Sequence, residues 1–514
     1  LEIKEMQKQN RVYTPRKITV WRGIGYGIVD FVGGGSMTII GAWMLFFYTS
    51  YCNLTAVEGA SIIGAARVAD AICSLLMGSL TDNFYKTKLG QRFGRRHFFL
   101  LIGSPLMLLY ITLWIAGMNY WYYFATYMVF EVISSAMMIP YETLPNEMTD
   151  DYNQRTKLSS ARMFISAGAT FLATFIPGQL FAILGQHSPM PFLVNGTLFA
   201  IIFAIGVYVC YAVTWEKPVT EEMKKELEKD SVNHGSVFQR IWGLLKDYGS
   251  TLRIKSFRKH LLIYLFSFTG KDTFNTVFAY FCIYCLGLSA TVAANMLSLS
   301  LIGLLVTIVA GFGMVKFGPK FLYEVGYGLM LLMLVGYYLI FQLHITSHTI
   351  LLLFFVSLFY QIGRATLEFT PWNVFPFIPD LDEIVTKRRR AGIFAAVMSF
   401  TRKSTVAVAT IAVGFVLDGS GFTKNAATQS LATQHAIANI LLFGTGGLVL
   451  IALLVALTFK LDKRTHQIVL QEIVRLRNGG QKKDVKPEVA ETVKELTGVS
   501  YDDVWPEDDL ERNK

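Results

Sequence analysis

Residues 66–101 read ARVADAICSLLMGSLTDNFYKTKLGQRFGRRHFFLL. An apolar stretch bearing Arg67 and Asp70 runs through Gly78 to Asp82, opens into a loop with Lys86, Lys88, Arg92, Arg95 and Arg96, and then turns apolar again. Two membrane crossings joined by a short basic loop have this pattern, because a bilayer core needs about 20 mainly apolar residues per helix and leaves charge at its edges. Working outward, apolar runs recur near 21–50, 57–80, 97–117, 120–145, 162–186, 192–215, 260–287, 291–315, 321–343, 348–373, 391–417 and 434–459. The expectation is an all-α membrane protein with twelve transmembrane helices. The residue content agrees, with 53% hydrophobic, 16% charged and a mean hydropathy of +0.42, whereas soluble domains carry roughly a quarter charged residues.

Charge in the loops sets the expected orientation. Lysine and arginine follow the even-numbered runs (Lys86 to Arg96, Arg155 and Lys157, Lys316 and Lys320, Lys387 to Arg390) and are missing from nearly all the odd-numbered loops, Lys424 being the exception. By the positive-inside rule both termini face the cytosol. The formal charge of +10 thus reads as a topology signal, and no nucleic-acid partner is expected. The charged segment 216–259, with EEMKKELEKD at 221–230, divides the chain into six-helix halves. The predicted organisation is a cytosolic N-terminus (1–20), a first bundle (21–215), a cytosolic central loop (216–259), a second bundle (260–460) and a cytosolic tail (461–514) with an amphipathic run to Arg477, solvated and regulatory or merely stabilising. The halves echo each other, since Pro140-Tyr141 followed by Asp150 and Arg155 resembles Pro371-Trp372 followed by Asp380 and Arg388. Such repeats are typical of transporters.

Ionisable groups inside membrane helices cost about 3 kcal/mol or more each and are functional candidates by default. Asp30 lies in GYGIVDFVGGG (25–35), where glycines allow close backbone approach. Arg67, Asp70 and Ser74 share one helix face, so Arg67 can pair with Asp70, and a carboxylate beside a cation can exchange its partner for a proton or sodium ion. Glu142, between Pro140 and Pro145, is placed at a broken helix end and grouped with Asp70 and Arg67 as a cation-coupling candidate, and Arg162 opens the fifth run. Lys271 stands beside Asp272, Arg364 and Glu368 are spaced to pair, and of Arg402 and Lys403 at least one should face the interior. Tyr141 and Trp372 suit stacking on the apolar face of a sugar ring, with helix packing the equal alternative. The five cysteines read as small buried hydrophobes. The eight histidines, mostly in loops or near helix ends, form no catalytic set, so neither an enzyme nor a metal centre is expected.

Four segments resemble the glycoside-pentoside-hexuronide cation symporters, a branch of the major facilitator superfamily: IGYGIVDF (24–31), the 66–101 stretch, IPYETLPNEMTDDYNQRTKLSSARMF (139–164), and PWNVFPFIPD (371–380) with RRRAGIFAAVMSFTRK (388–403). The resemblance covers about Lys17 to Phe459. It implies the major facilitator fold of two pseudo-symmetric bundles. It also implies a sugar-binding role for Asp30 and Arg162, a cation site at Asp70, a counterpart for Lys403, and a cytoplasmic gate of Gly78, Asp82, Arg95 and Arg96. Two departures from the sodium-coupled melibiose permease matter. Cys73 and Ser74 stand where it has Asn and a second Asp, and Met138 replaces a sugar-binding aspartate. Loss of hard oxygen ligands favours H+ over Na+ as the coupling ion, with no other cofactor. The cations Lys271, Arg364 and Arg402 favour an acidic sugar such as a uronate or oligogalacturonide. The expected function is secondary active symport of that sugar across an inner or plasma membrane. The alternatives are a neutral-glycoside or lysolipid symporter and a non-transporting sugar sensor.

Overall fold

The computed structural model describes residues 11–149, 151–220, 249–345, 348–387 and 390–506. Asp150, the 221–230 segment, Arg388, Arg389 and the chain's last eight residues, all used in the sequence reading, lie outside them. The described residues form helices and connecting turns, without strands. Ten helices among them are long and apolar enough to cross a membrane, where twelve were expected. Two features account for the difference.

The first is a 53-residue helical run, Ala290–Gln342, far longer than a bilayer needs at about 1.5 Å per residue. It is broken at Gly318, whose φ of 80° and ψ of 175° are non-helical. Glycine takes that conformation without a Cβ clash, and Pro319 begins the next helix without a lost donor. The second is the 26-residue helix Lys255–Tyr280, long enough to span but made polar at its middle by Lys271, Asp272, Thr273, Asn275 and Thr276. The helices are therefore labelled α1 (Val20–Tyr51), α2 (Ala56–Asn83), α3 (His97–Trp114), α4 (Tyr120–Met148), α5 (Tyr152–Leu184), α6 (Met190–Val213), α7 (Lys255–Tyr280), α8 (290–317), α9 (319–342), α10 (Thr349–Thr386), α11 (Ala391–Gly419) and α12 (Leu431–Leu457).

Two compact units emerge. One comprises Leu1–His234, Asp272–Leu301 and Val406–Ile440. Its core is aromatic: Trp114 stacks on Phe192 at 5.8 Å, and Trp43, Phe47 and Tyr110 fill the space around them. The glycines of α1 serve packing, as a Cβ at Gly27 would sit 3.1 Å from the Arg162 backbone. Asp418, at the end of α11, accepts the free N–H groups of Ala56 (2.9 Å) and Val57 (2.8 Å) at the start of α2, a favourable place for a carboxylate at a helix N-terminus.

The other unit comprises Gly235–Lys271, Ile302–Thr405 and Leu441–Lys514. Gly326 and Gly363 bring α9 and α10 into backbone contact. Along α8 the outward residues are Leu305, Ile308, Val309, Phe312 and Val315, all exposed. Such a stripe would be an aggregation hazard in water and is the normal surface of a helix in lipid.

The tail differs from the solvated segment expected. Its helices α13 (Lys463–Arg477) and α14 (Pro487–Thr497) pack on the last turns of α10. His466, Val469, Ile473 and Leu476, spaced along one helical stripe, are buried. His466 Nε2 lies 2.8 Å from Asp380 Oδ2, Arg477 pairs with Glu383, and Trp505 N–H donates to the Ile384 carbonyl at 2.9 Å. The amphipathic periodicity of 463–477 was visible in the sequence, but the acidic surface that receives it was not. Truncating this stripe should release the tail: Ile473→Ala should cost about 2 kcal/mol or more of docking. Limited proteolysis at Asn478–Gly480 should then run faster than in the parent protein.

Candidate substrate and coupling sites

In the first unit, Arg162 of α5 holds two carboxylates. Its Nε donates to Asp30 Oδ1 at 2.9 Å and its Nη2 to Glu142 Oε1 at 3.0 Å. Asp30 is presented where α1 changes from α- to π-helical winding over Phe31–Ser36, a distortion that recurs at functional positions. The Arg162 guanidinium also lies 5.2 Å from the Tyr141 ring centroid, and Tyr141 stacks on Tyr26 at 4.8 Å. Tyr141 is fully buried, so it supports the arginine rather than offering an open face. Met138 approaches Asp30 on the same side, its methyl 3.1 Å from where a Gly33 Cβ would stand.

Two readings of the sequence are corrected here. Glu142 was assigned to the coupling group but sits with Asp30 on Arg162. The broken helix expected around it is absent, since α4 continues through Pro140 and Pro145 to Met148. Each proline removes only one ladder bond, to the carbonyl of Ala136 or of Tyr141, and the rest of the ladder carries the helix through.

A second buried cluster joins α2 to α4. Arg67 was expected to pair with Asp70, one turn along its own helix. It reaches instead across to Glu131 on α4, Nη1 to Oε1 3.1 Å, with both side chains almost wholly buried. Asp70 Oδ1 accepts the Ser135 hydroxyl, with Ser74 Oγ at 3.4 Å. Sequence reading missed Glu131, although a lone acid at the middle of an apolar run was the signal that could have found it.

At the loop between α2 and α3 the residues expected to form the gate meet in one network. Asp82 Oδ1 lies 3.1 Å from Arg96 and 3.8 Å from Arg95, and Glu147 Oε1 takes Arg95 at 2.7 Å and Arg96 at 2.9 Å. Gly78 is on the same helix, where an added Cβ would meet nothing within 4 Å. Beside this network is Glu216, placed in a cytosolic loop by the sequence reading but only 1% exposed. Its carboxylate accepts the backbone N–H groups of Arg95 (3.1 Å), Arg96 (2.8 Å) and His97, and the His97 ring at 2.9 Å. It caps the start of α3. Burial works to raise the Glu216 carboxyl, but the His97 ring and these backbone donors outweigh it and hold it below the usual carboxylate range.

In the second unit two cations share Glu368. Lys271 Nζ lies 3.2 Å and Arg364 Nε 3.1 Å from its Oε1. Lys271 and Arg402 both approach the Phe268 ring, at 4.9 and 5.4 Å from its centroid. Phe268 contacts Tyr264 (4.6 Å), which meets Trp372 edge-on at 5.6 Å. Trp372 is 49% exposed and presents part of its ring. Lys403 is half-buried. Lys271, Arg402 and Trp372 are thus linked through Phe268 and Tyr264, within one unit.

Apolar helices that hold ionisable side chains in shared pairs are suited to a membrane transporter. The chain belongs to the MFS/sugar transport protein family, whose model matches residues 25–463. Among its relatives are the glucuronide carrier protein homolog of Escherichia coli, 24% identical over 88% of this chain and 95% of that one, and the isoprimeverose transporter of Lactiplantibacillus pentosus, 23% identical over 80% and 82%. A solved D-xylose–proton symporter has the same fold, with a TM-score of 0.54 at 16% identity over 86% of this chain and 95% of that one.

The Glu216 cap makes stability depend on pH. A carboxyl depressed by folding stabilises the protein above its unfolded pKa of about 4.3, and the contribution is lost as pH falls through the lower folded value. Glu216→Gln should therefore lower the Tm at neutral pH, by the equivalent of about 3 kcal/mol for lost charge-assisted hydrogen bonds. The gap from the parent should narrow as the medium is acidified below pH about 4.

Proposed function

We propose that the chain is a proton-coupled symporter of an acidic sugar, a uronate or a short oligogalacturonide, acting in an inner or plasma membrane with both termini and the basic loops on the cytoplasmic side. The observation that carries the substrate class is the sharing of Glu368 by Lys271 and Arg364. An ammonium brings three N–H donors and a guanidinium five. Such a pair of cations can accept a substrate carboxylate while keeping hold of Glu368. Half-exposed Trp372, linked to Lys271 through Tyr264 and Phe268, supplies an apolar face for the sugar ring. The glucuronide carrier homolog among the relatives supports an acidic sugar. The isoprimeverose transporter, named for an uncharged disaccharide, makes a neutral glycoside the second reading.

Proton coupling is supported by what surrounds Asp70. Sodium favours several hard carboxylate oxygens and no neighbouring cation, whereas Arg67 lies one turn from Asp70, and Cys73 and Ser74 stand where the sodium-coupled relative has Asn and a second Asp. A buried carboxyl beside a cation is well suited to gain and lose a proton as the cavity alternates between the two sides. The clustering of lysine and arginine in alternate loops supports the orientation.

Lys271→Gln should weaken binding of a uronate-containing sugar about tenfold or more, as roughly 1.5–3 kcal/mol for a charge-assisted hydrogen bond implies, and leave a neutral disaccharide little changed. Calorimetry on purified protein checks this. Equal losses for both sugars would make Lys271 a structural partner of Glu368 only. Asp70→Asn should abolish proton-driven accumulation in proteoliposomes while exchange of substrate remains measurable. Uphill uptake retained by that variant would remove Asp70 from the coupling role.

A further inference from the structure

We propose that Glu131 is a positioning residue of the coupling site: it competes with Asp70 for Arg67, and by holding the guanidinium it sets the pH at which Asp70 takes up its proton. The proposal rests on the reading of Asp70 as the proton carrier.

The cluster places two buried carboxyls around one arginine. Glu131 is 1%, Asp70 4% and Arg67 8% exposed. Arg67 and Asp70 are separated by three residues on α2 and so face the same side, yet the guanidinium is 3.1 Å from Glu131 on the neighbouring helix. Asp70 is held meanwhile by the Ser135 hydroxyl, and Ser135 lies one turn along α4 from Glu131. A serine hydroxyl can donate to a carboxylate or accept from a carboxylic acid, so Ser135 can hold Asp70 in either protonation state. A guanidinium cannot accept, and it favours the ionised form alone.

Two arrangements follow. With Arg67 on Glu131, the arrangement present in the structure, Asp70 is held by Ser135, which serves it protonated or ionised. When Arg67 swings to Asp70, the positive charge stabilises its carboxylate and the proton leaves. No bond other than O–H of Asp70 forms or breaks, and the proton passes to solvent on whichever side is open. Tyr127 on α4 and Asp272 on α7 also act electrostatically on Arg67, and Tyr110 on α3 interacts with Glu131. The tyrosines are neutral at physiological pH. Asp272 is a further acid that attracts the Arg67 guanidinium together with Glu131.

Removing the negative charge of Glu131 frees Arg67 for Asp70, and both changes lower the proton affinity of Asp70. In Glu131→Gln, the pH for half-maximal protonation of the Asp70 carboxyl should fall by about one unit or more, at least tenfold in affinity, within the range of shifts that a neighbouring cation produces. The probe is the carboxylic-acid stretch in infrared difference spectra of purified protein titrated with pH, assigned by its loss in Asp70→Asn. This readout needs neither substrate nor coupling ion. Proton-driven uptake of D-glucuronate into proteoliposomes should show the same downward shift in its pH profile. Glu131→Asp, which keeps the charge on a shorter side chain, should give a smaller shift in the same direction, and stands in should Glu131→Gln not fold. An unchanged Asp70 titration in either folded variant overturns the proposal. Sodium-dependent, pH-indifferent uptake by the parent protein would instead overturn the proton-coupling reading, while the infrared titration would still decide whether Glu131 controls Arg67.

Discussion

A charge inside a membrane helix is stable only beside a counter-charge, and in this protein the counter-charges are shared. Arg162 is held by Asp30 and Glu142 together, and Glu368 by Lys271 and Arg364. In a low-dielectric interior a closed one-to-one pair is expensive to open, because each partner left alone bears a desolvation penalty of several kcal/mol. A shared ion can loosen one contact while keeping the other. Exchange of partners then proceeds without a bare charge at any step, which is the condition a transporter has to meet each time substrate or proton enters and leaves.

The packing of the helices follows from that requirement. Gly27 brings α1 against α5 closely enough for Asp30 to meet Arg162. Tyr26 and Tyr141 lie stacked beneath the guanidinium and keep water from its inner side. In the other unit Phe268 serves Lys271 and Arg402 alike. An aromatic face attracts a cation by about 0.5–2 kcal/mol without neutralising it, so these side chains are oriented yet keep their charge available to a ligand.

The sequence made the position of nearly every charge legible, because an ionisable residue in an apolar run stands out one residue at a time. It also made the spans legible wherever composition stays apolar. They were legible too where polarity or length departs from the average, since the run at 260–287 falls on α7 despite its Lys271 to Thr276 stretch, and those at 291–315 and 321–343 fall on either side of Gly318 in the α8–α9 run. Pairing was the gap. Spacing along one helix makes Arg67 and Asp70 neighbours, but which of several acids receives a guanidinium is decided by helices distant in sequence, and Glu131 is sixty-four residues away. For the same reason Glu142 was grouped with the wrong acid, and Glu216 was taken for a loop residue although it caps α3.

The network at the basic loop shows what distinguishes a latch from an exchange site. Both Asp82 and Glu147 contact both Arg95 and Arg96, and the backbone around the two arginines is tied separately to Glu216. Two acids and two bases, each touching both partners, form a closed set whose loss requires several contacts to open together. Such a set holds one conformation firmly and opens cooperatively. The three-membered clusters within the membrane span have the opposite property, since one contact can open while another remains. The contacts of the loop network are thus redundant and those of the helix clusters separable, which suits the first to holding a conformation and the second to exchanging partners.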